Sequence, residues 1–172
     1  MSSIEAKMKP IILYSTVGGN TEKVAREIAS ELNCHCVKVS KNFDSSSLDL
    51  NNYDLVFVGT GIYAGKPNRQ MLDYLQKTIF GKSLQFAVFL TWYGRGKIDI
   101  DVFEKIKGVL NSKEQKVSDS YYKCYGEARS NFERGFASFM GSVSAGHPDA
   151  SDLSAARKWS REIIETAQQK TA

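Results

Sequence analysis

The chain has 172 residues and a formal net charge of +4, and its composition is 42% hydrophobic and 24% charged. A chain of this length buries a core without disulfides or structural metals, and this composition excludes a globally disordered protein. Its longest apolar runs, such as residues 86–90, are far shorter than the roughly 18 residues that a membrane span needs. The polar start lacks a signal peptide's apolar stretch, and three cysteines argue against a disulfide framework, so we expect a cytoplasmic protein.

Short apolar runs alternate with amphipathic segments along the chain. Residues 1–9 are predicted to form a flexible tail and residues 10–172 a single domain. Buried strands are predicted at residues 10–14, 35–39, 55–59, 84–90 and 116–125. Helices are predicted at residues 21–32, 67–79 and 102–110 and from residue 150 onward, with Pro67 in the first turn of the second helix and Gly81 at its end. This alternation predicts a parallel sheet with right-handed crossovers.

Ligands of open α/β sheets bind beyond the carboxyl ends of the strands. The segments after the first, third, fourth and fifth strands are therefore the candidates for a site. They are residues 15–21, 60–66 and 91–97 and the segment from residue 126 onward.

Residues 15–21 combine hydroxyls, two glycines and an amide directly before a helix. Glycines let backbone N–H groups approach an anion, and the helix N-terminus adds partial positive charge. The loop has no Lys or Arg, which suits a terminal phosphate better than a polyphosphate and excludes the P-loop pattern. A turn followed by a helix cap would use the same residue types, so both interpretations stay open here.

The segments after the third and fourth strands are rich in glycine and aromatic residues. Residues 59–65 do not match the G-x-G-x-x-G spacing and do not follow the first strand, so a dinucleotide motif is not predicted. Ile62, Tyr63, Trp92 and Tyr93 could pack on the faces of a flat aromatic ligand. Alternatively, Trp92 and Tyr93 could pack on local surface.

Together these segments resemble the flavodoxin family. The run from Ile12 to Thr21, followed by Ala25 and Ile28, is similar to the family's phosphate loop, and the next two loops match its flavin-ring loops. Residues 146–149 before the last helix are also similar to those of flavodoxin-like proteins. The resemblance covers about residues 10–168 and implies a three-layer α/β sandwich with a five-stranded parallel sheet in the order 2-1-3-4-5.

The resemblance also implies FMN as cofactor and assigns residues to it. The phosphate loop is Ser15, Thr16, Val17, Gly18, Gly19, Asn20 and Thr21, in which Val17 replaces a small or hydroxylated residue. The ribityl chain and one side of the ring would contact Thr60, Gly61, Ile62, Tyr63 and Ala64. The other side would contact Thr91, Trp92, Tyr93, Gly94 and Gly96. In the family a peptide bond of the third-strand loop flips to accept a hydrogen bond from the reduced flavin, and here it is either 63–64 or 64–65.

Other reactive residues are interpreted as structural. The sequence Cys34-His35-Cys36 lacks a second cysteine pair, so we expect packing, and no metal site is predicted. Cys124 is expected in the core, and His147 in the turn before the last helix. Between residues 126 and 148, apolar residues at helical spacing predict a short packed helix or a docking element near the flavin.

These features favour an electron carrier between redox proteins. The alternative is an FMN-dependent reductase or oxidase of a small molecule such as a quinone or porphyrinogen. No catalytic side chain is predicted. A receiver-type signalling domain would need acidic residues at the end of the first strand, where this chain has Tyr14, Ser15 and Thr16.

Basic residues concentrate in the segments that flank the proposed flavin edge. Residues 60–69, 91–97 and 123–134 contain seven basic and two acidic residues. Complementary charge steers protein encounters. The sequence therefore predicts acidic redox partners, such as ferredoxins or ferredoxin-type oxidoreductases, and predicts neither nucleic acid nor a membrane span.

Overall fold

The computed structural model describes residues 8–94, 96–128 and 144–170. The predicted helix or docking element within residues 126–148 falls largely outside these ranges. The strands are β1 (Pro10–Ser15), β2 (His35–Lys38), β3 (Leu55–Tyr63), β4 (Lys66–Pro67), β5 (Gln85–Trp92), β6 (Lys116–Val117) and β7 (Tyr122–Tyr125). The helices are α1 (Asn20–Leu32), α2 (Arg69–Lys77), α3 (Ile98–Asn111) and α4 (Ala150–Gln169).

The five-stranded parallel sheet has the predicted order 2-1-3-4-5. It runs β2-β1-β3-β5-β6, and all the neighbours on this path are parallel. The predicted fifth strand is divided, since β6 and β7 both pair with β5. The flavodoxin-like α/β fold implied by the resemblance is therefore confirmed.

Helices cover both faces of the sheet, which explains its apolar central strands. On one face, α1 and α4 pack through Val24, Ile28, Trp159 and Ile163 against Phe57 and other residues of the sheet. On the other face lie the apolar residues of α2 and α3, among them Met71, Leu75, Val102, Phe103 and Ile106. Because the strands of the main sheet are parallel, the loops that follow them lie at the same, carboxyl edge.

The segment around α2 differs from the prediction. Pro67 does not open the helix, because it lies in β4 opposite Ile62. The helix begins after Asn68, whose side chain accepts a hydrogen bond from the N–H of Gln70. It ends at Lys77 with Thr78 as its cap, so Gly81 is not its cap. Ile79, the last residue of the predicted helix, lies outside it and is 93% exposed.

The fold begins slightly before the predicted domain boundary. Met8 is buried, and the Lys9 carbonyl accepts a hydrogen bond from the N–H of Asp54 at 2.9 Å. Among the described helices, none has the length and apolar character to cross a bilayer.

Candidate functional site

The loop between β1 and α1 lies at the carboxyl edge of the sheet. Gly19 precedes the helix with a φ of 87°, a conformation that favours glycine. Its N–H donates to Thr16 Oγ1 at 2.9 Å, and no side chain caps the first turn of α1. The first turn of a helix has unpaired N–H groups and partial positive charge, so this loop can bind an anion.

Tyr63 joins this loop to the end of β3. Its phenol oxygen accepts a hydrogen bond from the N–H of Val17 at 2.9 Å. The Tyr63 ring lies over Gly61, where a Cβ atom would come within 2.5 Å of the phenol oxygen. Gly61 therefore makes this position of the tyrosine side chain possible.

The end of β3 turns sharply after Tyr63. Tyr63 and Lys66 pair across a two-residue turn, in which Ala64 and Gly65 have φ values of 48° and 74°. Two consecutive positive φ values are typical of a tight hairpin turn. The predicted loop is thus a continuation of β3, and the peptide bonds on both sides of Ala64 lie at the tip of a hairpin.

Hydroxyl groups anchor the strand ends to their neighbours. Thr21 Oγ1 and Thr91 Oγ1 lie 2.8 Å apart, both side chains are buried, and their hydrogen bond ties α1 to β5. Thr60 Oγ1 donates to the Gly61 carbonyl and accepts from the N–H of Asn68. These three hydroxyls are therefore used within the fold.

Aromatic rings form the other wall. Trp92 is the last residue of β5 and is 8% exposed. Tyr125 stacks against it, with a ring-centroid distance of 6.3 Å and an angle of 9° between the ring planes. The sequence left two alternatives for Trp92, local packing and the lining of a pocket. In the structure Trp92 packs on Tyr125 and also lines a cavity.

One cavity brings together residues from the three predicted segments. They are Thr16, Gly18, Asn20, Gly61, Ile62, Tyr63, Thr91, Trp92 and Tyr93. The other predicted residues are not among those that line it, and they are Ser15, Val17, Gly19, Thr21, Thr60, Ala64, Gly94 and Gly96. Ser15, Thr21 and Thr60 are buried supports of the loops, whereas the Val17 side chain is 76% exposed.

Gly126 and Glu127 also line the cavity, although neither was assigned to the cofactor from the sequence. Asn20 Nδ2 donates to the Glu127 carbonyl at 2.9 Å, and a Cβ atom on Gly126 would come within 2.6 Å of that nitrogen. The N–H of Gly126 donates to the Trp92 carbonyl at 2.7 Å. The sequence indicated these two lining residues only by their place in the chain, because the segment from residue 126 follows the fifth predicted strand.

An ion pair between a buried aspartate and a half-exposed lysine lies beside the aromatic wall. Lys123 Nζ lies 2.7 Å from Asp99 Oδ2 and 6.0 Å from the centroid of the Trp92 ring. The Tyr121 hydroxyl donates to the same carboxylate oxygen at 2.6 Å. Burial would raise the pKa of Asp99, but hydrogen bonds from Lys123 and Tyr121 outweigh it and lower that pKa. Burial and then the Asp99 hydrogen bond raise the pKa of Tyr121 to about 12.

The cysteines have the character of packed thiols. Burial raises the pKa of Cys34 to about 12 and that of Cys36 to about 11.

Within the described ranges, one other cluster has metal-ligand types. His147, Asp149 and Asp152 place ligand atoms within 4.8 Å of one another. Asp149 and Asp152 form a reciprocal capping box at the start of α4, and His147 Nδ1 lies 2.5 Å from Asp152 Oδ2. The cluster therefore builds the turn and the helix start, which agrees with the structural role predicted for His147.

Comparisons with known proteins agree with the fold. The flavodoxin domain family model matches residues 11–119. An uncharacterized protein of Methanocaldococcus jannaschii is 28% identical over 163 residues, which cover 91% of this chain and 99% of that protein. The flavodoxin-like domain-containing protein BilS of Clostridioides difficile is 27% identical over 124 residues, which cover 70% of this chain and 67% of BilS.

A solved structure with the same fold is that of a WrbA-like flavodoxin from Agrobacterium tumefaciens. It has a TM-score of 0.69 at 16% identity, with 94% of this chain and 98% of that chain covered. The family model covers well over half of the present chain, and the sheet order is that of a flavodoxin-like fold. This chain therefore belongs to the flavodoxin domain family.

Proposed function

We propose that this protein binds FMN non-covalently at the cavity and acts as a small electron carrier between redox proteins. The observation that carries the proposal is the uncapped start of α1, which lies directly beside two strand ends that carry aromatic residues. An anion site next to an aromatic wall suits a ligand with a phosphate at one end and a flat ring at the other.

The residues of the cavity fit such a ligand. The Val17 N–H already donates a hydrogen bond to the Tyr63 hydroxyl oxygen. This is the position at which the loop would donate to a phosphate oxygen. Asn20 Oδ1 is buried without a hydrogen-bond partner, which leaves an acceptor for a ligand hydroxyl. Gly61 and Gly126 line the cavity, and a side chain on either would collide with the Tyr63 or Asn20 side chain.

Each part of the cavity has a separate role in the proposal. Thr16 and the first N–H groups of α1 would hold the phosphate, and Asn20 Oδ1 would accept from a ligand hydroxyl. Ile62, Tyr63 and Trp92 would cover the ring faces and exclude water. Bound FMN supplies one- and two-electron redox chemistry, and the protein tunes it by stacking and hydrogen bonding. The turn at Ala64 and Gly65 would offer backbone N–H and carbonyl groups to the ring.

The set of cavity residues favours a carrier over an enzyme with its own substrate. Among the described lining residues, the ionisable groups are Tyr63, Tyr93 and Glu127, and there is no His, Cys or Lys. A carrier needs only a bound flavin near the surface, whereas proton transfer to an organic substrate usually uses a positioned acid or base.

The proposal extends to partners with acidic surfaces. Lys66 and Lys97 are exposed near the ends of β3 and β5, and neither forms a salt bridge within the described ranges. Basic residues around an electron-transfer edge attract acidic proteins and raise the rate of encounter.

The test of the cofactor compares FMN with riboflavin, which lacks the phosphate. We expect FMN titration to quench flavin fluorescence with much higher affinity than riboflavin titration. Thr16→Ala should weaken FMN binding about 10- to 100-fold, because hydrogen bonds to charged groups contribute roughly 1.5–3 kcal/mol. Its effect on riboflavin should be smaller. Equal affinities for the two ligands, or no binding of either, would contradict the proposed site.

The test of the carrier role is an anaerobic reductive titration of the FMN-loaded protein followed by visible absorbance. A long-lived one-electron-reduced form, with no turnover of NAD(P)H and quinone in the absence of another protein, is expected for a carrier. Rapid quinone reduction by the protein alone would instead support the reductase alternative.

A further inference from the structure

Large hydrophobic side chains are exposed at few positions among the described residues. They are Val17, Ile79, Ile98 and Ile100. Three of the four lie at the carboxyl edge of the sheet, in the loop before α1 and in the first turn of α3. Ile98 and Ile100 are 39% and 43% exposed, in a helix whose other apolar residues pack on the sheet.

Ile98 lies close to the candidate site through the hairpin turn that follows Tyr63. The Val17 N–H bonds to Tyr63, and Tyr63 leads directly into the turn at Ala64 and Gly65. Ile98 Cγ2 lies 3.8 Å from the position that a Cβ atom of Gly65 would occupy. Ile98 therefore borders the hairpin turn next to Tyr63, which lines the cavity.

Positive charge flanks the same surface. Lys66 follows the turn, and Lys97 precedes Ile98 in the chain, with both side chains exposed. Asp99, the acid next to Ile98, is buried and paired with Lys123, so it presents no free charge at the surface. Asp101 is the exposed acid in this first turn. Among the described residues, two lysines that form no salt bridge lie against one exposed carboxylate, which gives this part of the surface a positive balance.

We infer that Ile98, Ile100, Lys66 and Lys97 form the docking surface for an acidic redox protein, here named the α3 docking surface. This inference rests on the proposed electron-carrier function. An apolar centre with a charged rim is typical of protein interfaces. A partner seated on Ile98 and Ile100 covers the hairpin turn, which brings its redox group close to the flavin edge. The rim lysines steer the encounter, and the isoleucines hold the complex.

The experiment measures electron transfer from a reduced acidic [2Fe–2S] ferredoxin to the FMN-loaded protein by stopped-flow absorbance. The variants are the double change Ile98→Ser and Ile100→Ser and the double change Lys66→Glu and Lys97→Glu. Ile79→Ser and Lys116→Glu are the controls, because Ile79 follows α2 and Lys116 begins β6, both near the opposite, amino edge of the sheet. FMN affinity and circular dichroism of every variant separate a docking defect from loss of cofactor or fold.

We expect the lysine variant to slow the reaction about tenfold at low ionic strength and to flatten its dependence on salt. The isoleucine variant should slow transfer several-fold at all salt concentrations, while both controls stay close to the original rate. With basic cytochrome c as acceptor, the rate of the unaltered protein should rise with salt instead of falling.

Three results would overturn the inference. They are the absence of transfer from the ferredoxin, equal effects of the site and control variants, and loss of a dimer in the isoleucine variant without a change in the transfer rate. The last result would assign the surface to a second copy of this chain. Failure to bind FMN would be seen first, in the affinity measurements, and would count against the proposed function itself.

Discussion

Single residues at the candidate site have two uses, one within the fold and one toward a ligand. Tyr63 is the clearest case, because its hydroxyl holds the Val17 N–H at 2.9 Å while its ring lines the cavity. A hydrogen bond of this kind contributes about 0.5–1.5 kcal/mol net. Any phosphate that takes the same N–H must therefore displace the tyrosine hydroxyl.

Tyr63→Phe keeps the ring and removes this competing acceptor. We expect FMN to bind up to about tenfold more tightly, while the ligand-free protein becomes about 1 kcal/mol less stable. Fluorescence titration and urea denaturation measure the two effects. Tyr74→Phe is the control, since Tyr74 packs against Phe43 away from the cavity. Weaker FMN binding by Tyr63→Phe would mean that the hydroxyl contacts the cofactor directly.

The pair formed by Lys123 and Asp99 is asymmetric, because Asp99 is fully buried and Lys123 is half-exposed. Lys123→Met leaves a buried carboxylate without its cation, so we expect a loss of about 3 kcal/mol in the free energy of unfolding. Asp99→Asn leaves a lysine that water can solvate, and we expect a loss of about 1–2 kcal/mol. Denaturant unfolding at neutral pH measures both. Lys107→Met, whose partner Asp119 is exposed, should change little. The reverse order of the first two effects would contradict this account of the pair.

The same pair predicts a pH dependence. The pKa of Asp99 is lowered in the folded protein. The stability that this carboxylate contributes is complete above its ordinary pKa of about 3.9 and is lost as the pH falls through the lower, folded value. The difference in unfolding free energy between the original protein and Asp99→Asn should therefore shrink below about pH 4. A difference that stays constant into acid would show that Asp99 acts without its charge.

At the scale of elements, two glycines that look alike in sequence have opposite roles. Gly59 lies inside β3, where a Cβ atom would come within 2.1 Å of the Phe89 ring of β5. Gly108 lies within α3, where a Cβ atom would meet nothing within 4 Å. The first glycine accommodates an aromatic core residue, and the second is a position of low helix propensity.

We expect Gly59→Ala to destabilise the protein by about 1–3 kcal/mol, because overpacking forces Phe89 or the strand to move. Gly108→Ala should stabilise it by about 0.5–1 kcal/mol, because alanine favours a helix. Thermal or denaturant unfolding compares the two variants directly. A neutral or stabilising Gly59→Ala would mean that the sheet can separate locally from Phe89 at no cost.

At the scale of the whole molecule, the parallel sheet gathers the site from distant parts of the chain. Adjacent strands are in register at their carboxyl ends, with Ser15 beside Thr60 and Gly61 beside Thr91. A ligand held at this edge contacts several elements at once. It therefore binds the folded chain and not the unfolded chain. Binding is therefore coupled to global stability.

FMN at a concentration 100 times its dissociation constant should raise the free energy of unfolding by about 2.7 kcal/mol. The same concentration of riboflavin should have a smaller effect, because it lacks the phosphate that the α1 loop would bind. Unfolding curves with each ligand test this. Equal stabilisation by both flavins would indicate a site that recognises the ring alone.

The sequence by itself determined the fold and the loops that form the cavity. Continuous apolar strands and one-sided helices predict a covered parallel sheet, because burial sets these periods, and all three predicted loops contribute to the cavity. The predicted ends of the second helix were wrong at both Pro67 and Ile79. A proline suits a helix start and an edge strand equally well in its backbone angles, and pairing with Ile62 decides between them.

Only the tertiary structure decided which atoms of those loops meet. The pairing of Thr21 with Thr91, the contact of Tyr63 with Val17 and the contribution of Gly126 and Glu127 all join residues distant in sequence. In the sequence, Asp99 looks like an ordinary acidic residue in the first turn of a helix. In the structure it is buried and bonded to Lys123 and Tyr121. Hydrophobic periodicity reports which face of an element is buried, but the partner of a polar group depends on where the whole sheet places it.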